Sequence, residues 1–232
     1  MFAAVQVAVV IPALNEEGSL PLVLEALGSA IEARVVVVDN GSTDRTADVA
    51  RQGGAEVVAE PMRGYGAACL AGIRHLDGPD APDVLVILDA DHADDPSVLP
   101  GFLERIEREE ADLVLASRTA GRAESGSLSP IQRWGNLLQT RALNLRFGLT
   151  LTDMGPMRAI RWNSLAALDM EDLTWGWNVE MAAKAARSGL RIVEVPVRYR
   201  NRAAGQSKIS GDAVGAARAS AKILWALWRY AR

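Results

Sequence analysis

The sequence predicts an α/β protein with a mostly parallel central sheet flanked by helices, and three observations carry that prediction. Short β-branched runs alternate along the chain with longer segments of helical pattern. The strand-like runs are apolar nearly throughout, as strands are when helices cover both faces of a sheet. Several of them lead directly into short polar loops and then a helix. This β-α-β rhythm is Rossmann-like, and sheets of that kind bind ligands beyond the carboxyl ends of their parallel strands.

The elements follow in order. Residues 5–11, 35–39, 56–59, 84–88 and 113–116 read as strands, and 17–30, 46–52, 65–76 and 96–110 as helices. Asp95-Pro96 marks a helix start, an acidic cap followed by proline in the first turn. Beyond Ser117 the rhythm changes, and 121–129, rich in Gly and Ser, read as a mobile loop. Then come a helix over 131–147, a Gly/Pro-punctuated turn at 152–156 and a helix over 178–188 stopped by Gly189. A strand over 191–195 has Pro196 at its edge or end, and a polar loop over 201–207 precedes the last helix. With no internal repeat and no linker, one domain is expected over 1–210, with a C-terminal amphipathic helix over 211–232. In that helix Arg218, Lys222, Arg229 and Arg232 share a stripe with Trp225, while Ile223, Leu224, Leu227 and Trp228 fall opposite. Docking on the protein's own core and lying in a membrane interface both give this pattern.

Composition narrows the functional classes. The 232 residues are 49% apolar and 23% charged, enough for a sizeable core. A net charge of −4 argues against general nucleic-acid binding. Eight Lys/Arg and one Asp lie from Arg198 onward, a cationic tail on an acidic body that suits an anionic partner. The single cysteine, Cys69, reads as a small buried hydrophobe and fits a reducing compartment. Residues 1–10 lack the basic start of a signal peptide, and no apolar run approaches the roughly 18 residues of a membrane span. The expectation is a cytoplasmic protein able to sit on the inner face of the cell membrane.

The chemistry concentrates at strand ends. Val84-Leu85-Val86-Ile87-Leu88 runs into Asp89-Ala90-Asp91. If extended geometry persists, period two puts both carboxylates on one side, where paired hard oxygens suit Mg²⁺ or Mn²⁺ bridging a diphosphate. Val35–Val38 likewise leads into Asp39-Asn40-Gly41-Ser42-Thr43-Asp44, and the first strand into Pro12-Ala13-Leu14-Asn15-Glu16-Glu17. Asp39 is placed to accept hydrogen bonds from a base or ribose.

These three motifs, in this order and spacing, resemble family 2 glycosyltransferases of the GT-A fold. The resemblance implies that Pro12, Leu14, Glu16, Asp39 and Asp44 line a nucleotide pocket with Asp89, and that Asp89 and Asp91 hold the metal. Arg63-Gly64-Tyr65-Gly66 resembles the glycine-containing loop near the nucleotide in such enzymes. Further along, Ser117-Arg118, Thr152-Asp153 with Arg158, and Val195-Pro196-Val197 through Arg202 and Gly205-Gln206-Ser207-Lys208 resemble the dolichyl-phosphate mannosyltransferase-like branch. Asp91, Asp153, Arg118, Arg202 and Lys208 are thereby implied in catalysis. The implied substrates are a UDP- or GDP-linked sugar and a polyprenyl phosphate, with peripheral membrane contact through the last helix.

Two departures bear on mechanism. The branch usually has a Gln two residues after the second Asp, where this chain has Ala93. The carboxylate that acts as base in hydroxyl-glycosylating members falls at Asn178, which takes no proton. A phosphate acceptor is already a nucleophile and needs no base. That favours polyprenyl phosphate over the alternative, a saccharide or small-molecule hydroxyl, for which Asp153, Glu171 or Asp172 would have to serve. A nucleotidyltransferase is disfavoured because the loop at 12–18 is acidic with a single glycine.

Overall fold

The computed structural model describes residues 5–204, 225–226 and 228–230. Seven strands form one sheet: β1 (Val7–Ala13), β2 (Arg34–Asp39), β3 (Glu56–Ala59), β4 (Val84–Ile87), β5 (Leu113–Ala123), β6 (Arg158–Arg161) and β7 (Ile192–Tyr199). The helices are α1 (Leu20–Ala30), α2 (Thr46–Gln52), α3 (Tyr65–Leu76), α4 (Leu99–Glu107), α5 (Pro130–Phe147), α6 (Trp162–Leu168) and α7 (Trp177–Arg187).

The strand order is β3-β2-β1-β4-β6-β5-β7. Strands β3, β2, β1 and β4 are mutually parallel, β6 is antiparallel to β4 and β5, and β7 runs parallel to β5. Two antiparallel steps restore direction, so β1, β2, β4, β5 and β7 all end at the same sheet edge. The chain winds outward from β1 through β2 to β3, then returns to β4 on the other side of β1. The crevice between β1 and β4 is therefore the switch point where such sheets open to ligands.

The central strands are buried on both faces, and period two divides them between two cores. Ala8, Val10, Leu85 and Ile87 face the side packed by α3, α5, α6 and α7. Val9, Ile11, Val84 and Val86 face the side packed by α1 and α4. Each fully buried Val, Leu or Ile among them contributes about 1.5–3 kcal/mol.

The structure corrects several expectations. Residues 121–123, read as part of a mobile loop, continue β5, which resumes pairing with β7 after a register shift between Ser117 and Arg122. Gly121 is required there: a Cβ would lie 2.0 Å from the Val197 carbonyl oxygen. Strand β7 runs past residue 195 to Tyr199 with Pro196 inside it, and it is an edge strand, one of the two readings the proline allowed. Strand β6 and helix α6 had no sequence signal, since a four-residue strand flanked by two arginines resembles a polar turn. Helix α1 starts at Leu20 rather than residue 17, because residues 14–17 are drawn into the loop that meets β2. Of the last helix, Ala226 and Tyr230 are buried in the main core and Arg229 pairs with Glu171 at 2.9 Å. Most of it, with Lys208, Arg218 and Lys222, lies outside the described residues. No helix among the described residues is long and apolar enough to cross a membrane.

Candidate active site

The loops after β1 and β2 are laced into one surface. The Asn15 amide donates to Ser42 Oγ at 2.9 Å, and the Thr43 amide donates back to Asn15 Oδ1 at 2.8 Å. Asp39 accepts from the Ser42 amide at 2.9 Å, which closes the turn beyond β2. Burial works against ionisation of Asp44, but hydrogen bonds from Thr46 and the Glu17 amide outweigh it and hold its carboxyl below the ordinary value. Asp44 thus joins the two loops, while Pro12, Leu14 and Asp39 stay partly exposed beside the crevice. Asn40, quoted in the motif but assigned no role, is a tether: its amide donates to the Glu60 and Met62 carbonyls, and its Oδ1 accepts from the Gly64 amide. Arg63 folds toward the Gly41 turn, its Nε 3.3 Å from where a Cβ would stand. The start of α3 is not open to a ligand at every amide. Gly66 and Ala67 donate to the Thr174 and Leu173 carbonyls, and the approach is so close that a Cβ on Gly66 would lie 1.8 Å from the Asp172 oxygen.

The acidic pair lies just beyond β4, which ends at Ile87, so turn geometry rather than strand pleating brings the two carboxyls together. Asp89 is pushed up to about 7, first by burial and then by the Asp91 charge. Its Oδ1 is buried with no hydrogen-bond partner, as is the hydroxyl of nearby Tyr65. Asp91 accepts from the Ala93 amide at 3.0 Å and from Arg202 Nη1 at 2.8 Å. The other arm of Arg202 bonds Glu16, which also accepts from Ser19 Oγ at 2.7 Å. Arg202, from beyond β7, therefore ties Asp91 to the first-strand motif. Neighbouring Arg200 pairs with Asp95 at 3.0 Å.

Arg118 and Asp153 meet on the far side. Arg118 donates Nε and Nη2 to the two Asp153 oxygens at 2.8 and 2.9 Å, and its own amide adds a third bond at 2.7 Å. Asp153 is fully buried, takes a further bond from the Met154 amide, and is aligned by Glu194, which accepts from the Thr152 and Asp153 amides. The pair works as a rigid mount for a guanidinium that also lies over the Tyr199 ring. Beside it is a cavity of about 500 Å³ lined by Arg118, Thr119, Arg122, Leu128 and Arg133. Arg122 and Arg133 were not anticipated, because only the fold brings the end of β5 against the start of α5. Glu194 and Asn136, which holds the Thr152 carbonyl and Met154 amide, also carried no sequence signal.

Near α7, Glu180 is a structural anchor. It is fully buried, accepts from the Glu171 and Asp172 amides, and pairs with Lys184 at 2.7 Å. Asn178 Oδ1 is buried without a partner. Trp177 belongs to the core, whereas Trp175 stacks on Tyr65 with ring centroids 6.2 Å apart.

A Rossmann-like sheet carries along one edge two interlaced loops after β1 and β2, an acidic pair and a cationic mount. Residues 8–168 match glycosyl transferase family 2, and the chain belongs to that family: it is a glycosyltransferase. It is 40% identical over 210 residues to an uncharacterized glycosyltransferase of Mycobacterium tuberculosis, covering 90% of this chain and 92% of the relative. It is 38% identical to the undecaprenyl-phosphate mannosyltransferase of Micrococcus luteus, covering 91% and 90% of the two chains. It is 35% identical to a dolichyl-phosphate hexose transferase of Haloferax volcanii, covering 90% and 89%. Among solved structures it resembles glucosyl-3-phosphoglycerate synthase of Mycobacterium tuberculosis in complex with Mn²⁺, UDP-glucose and phosphoglyceric acid. That likeness, with a TM-score of 0.78 at 22% identity and covering 99% and 80% of the chains, concerns the fold.

Proposed function

We propose that the protein transfers a hexose, with inversion, from a UDP- or GDP-linked donor to a polyprenyl phosphate at the cytoplasmic face of a membrane. One observation carries the acceptor assignment. The cavity holding Arg118, Arg122 and Arg133 opens at the start of α5, whose outer face exposes Ile131, Trp134, Leu138 and Leu145, the last two at 51% and 85%. These residues fall on one stripe at helical spacing. A site of three guanidiniums continuous with an exposed apolar stripe suits a ligand with an anionic head and a long hydrocarbon tail. Names of the Micrococcus luteus and Haloferax volcanii relatives agree with that acceptor.

A divalent cation fits the acidic pair. Asp89 offers a buried oxygen with no partner, and hard carboxylate oxygens suit Mg²⁺ or Mn²⁺. Among the described residues no group of three His, Cys, Asp or Glu side chains is arranged to hold a metal. Asp89 and Asp91 would hold the cation, and Ala93 would add no ligand to it. When bound, the cation neutralises charge on the departing diphosphate. Arg202, already beside Asp91, is positioned to share that task. Arg118, held by Asp153, presents a fixed cation to the acceptor phosphate without reorganisation. An acceptor oxygen attacks the anomeric carbon as the bond to the diphosphate breaks, and the acceptor contributes its own negative charge.

A hydroxyl acceptor needs a base, and the three carboxylates the sequence offered for that role each have a partner. Asp153 is held by Arg118, Glu171 by Arg229, and Asp172 by Thr174. The test is a product assay with Mn²⁺, a panel of nucleotide sugars and undecaprenyl phosphate in vesicles. The expected result is sugar in the lipid phase, lowered at least tenfold by Arg133→Ala and by Trp134→Glu, with a short soluble prenyl phosphate less affected by Trp134→Glu. Transfer to a saccharide hydroxyl with none to prenyl phosphate would overturn the assignment.

A further inference from the structure

Asp94 carries a carboxyl that the fold leaves without a partner. The residue is 2% exposed, and neither oxygen has a hydrogen bond. Its backbone is fixed: Asp94 bridges Tyr199, the Arg200 amide donates to the Ala93 carbonyl at 2.8 Å, and Asp95 is held by Arg200. The carboxyl is therefore kept in place rather than free to turn to solvent. Its charged neighbours are Asp89, Asp91, Arg118 and Asp153. Burial and the two aspartates push it well above the ordinary carboxyl value. Protonated or not, it leaves hydrogen-bonding capacity unmet at a buried position, a cost that proteins concentrate where a ligand supplies the missing partner.

The chemistry of that ligand follows by elimination. A phosphate is excluded, because it would set an anion against a carboxyl already flanked by three others. The divalent cation is already assigned to Asp89 and Asp91. What remains is a neutral group rich in hydroxyls. Under the proposed function the transferred hexose lies between Asp89 with Asp91 and the Arg118 cavity, and Asp94 has Asp89, Asp91 and Arg118 among its neighbours. We propose that Asp94 is a sugar-binding residue, its two oxygens engaging two hydroxyls of the hexose being transferred. The inference rests on the proposed donor, and it adds a residue that selects the sugar rather than the nucleotide.

The experiment compares the full-length protein with Asp94→Ala and Asp94→Asn. Affinities are measured with Mn²⁺ for GDP, GDP-mannose, UDP and UDP-glucose, then for singly deoxygenated forms of the preferred nucleotide sugar. Both variants should bind the free nucleotide within twofold of wild type. Asp94→Ala should lose at least tenfold in affinity for the nucleotide sugar, and Asp94→Asn should lose less. One deoxy donor should be penalised by wild type and not by Asp94→Ala. The unliganded melting temperature of Asp94→Ala should equal or exceed that of wild type, as expected when an unpartnered buried carboxyl is removed. Wild-type affinity for the nucleotide sugar in Asp94→Ala would overturn the inference. Equal losses for nucleotide and nucleotide sugar with a lowered melting temperature would also overturn it and mark a purely structural residue. Absence of Mn²⁺-dependent binding of any nucleotide by wild type would instead overturn the donor reading beneath it.

Discussion

Cation binding at the acidic pair should be linked to a proton on Asp89. Its carboxyl is raised from 3.8 to about 7 by burial and by Asp91. The native protein thus keeps this proton to higher pH than the unfolded chain does. The stability contribution is full below about pH 4 and is lost as pH rises toward 7. At pH 8 the loss is at most about 4 kcal/mol, at about 1.4 kcal/mol per pH unit, and contact of the residue with solvent reduces it. A cation reverses the cost by binding only the ionised form. At pH 6 roughly a tenth of unliganded molecules have Asp89 ionised, so apparent Mn²⁺ affinity should fall about tenfold between pH 8 and 6. Titration by electron paramagnetic resonance, with a nucleotide sugar rather than a free diphosphate, avoids a titrating terminal phosphate. Asp89→Asn should flatten the profile and raise the melting temperature of the unliganded protein at pH 8 but not at pH 4. A wild-type affinity that is flat from pH 6 to 8, or an unchanged slope in Asp89→Asn, would refute the linkage.

Three further outcomes follow from the packing. Arg202→Ala removes the cation between Asp91 and Glu16, so the unliganded protein should lose about 1–3 kcal/mol by denaturant unfolding, with kcat/KM falling at least tenfold; saturating Mn²⁺ should restore part of the stability. Gly66→Ala drives a Cβ into the Asp172 carbonyl and should cost about 3 kcal/mol or more, read as a lower thermal midpoint. Glu180→Ala removes the carboxylate that pairs Lys184 and accepts from the Glu171 and Asp172 amides, so about 3 kcal/mol of stability should be lost, and Glu180→Gln should recover part of it, as expected of an anchor rather than a base.

The alternating apolar runs and the polar strand ends determined the sheet, its parallel half and the residues along its edge. These are local signals: β-branched runs buried on both faces, with carboxylates where the chain must turn. Asp39, Asp44, Asp89 and Asp91 were legible because each sits within a few residues of the strand that positions it. What the tertiary structure decided is long-range. Strand β6 was invisible because its arginines disguise it, and Arg158 is buried by donating to backbone carbonyls rather than by pairing with a nearby carboxylate. Nothing local marks Asp153 as the mount of Arg118, 35 residues away, or joins Arg202 to Glu16 across 186 residues. The cavity of Arg118, Arg122 and Arg133 and the unpartnered carboxyl of Asp94 exist only once β5, α5 and β7 converge on one edge. Burial and partnership are properties of packed neighbours, and a linear pattern records only which residues are available to be packed.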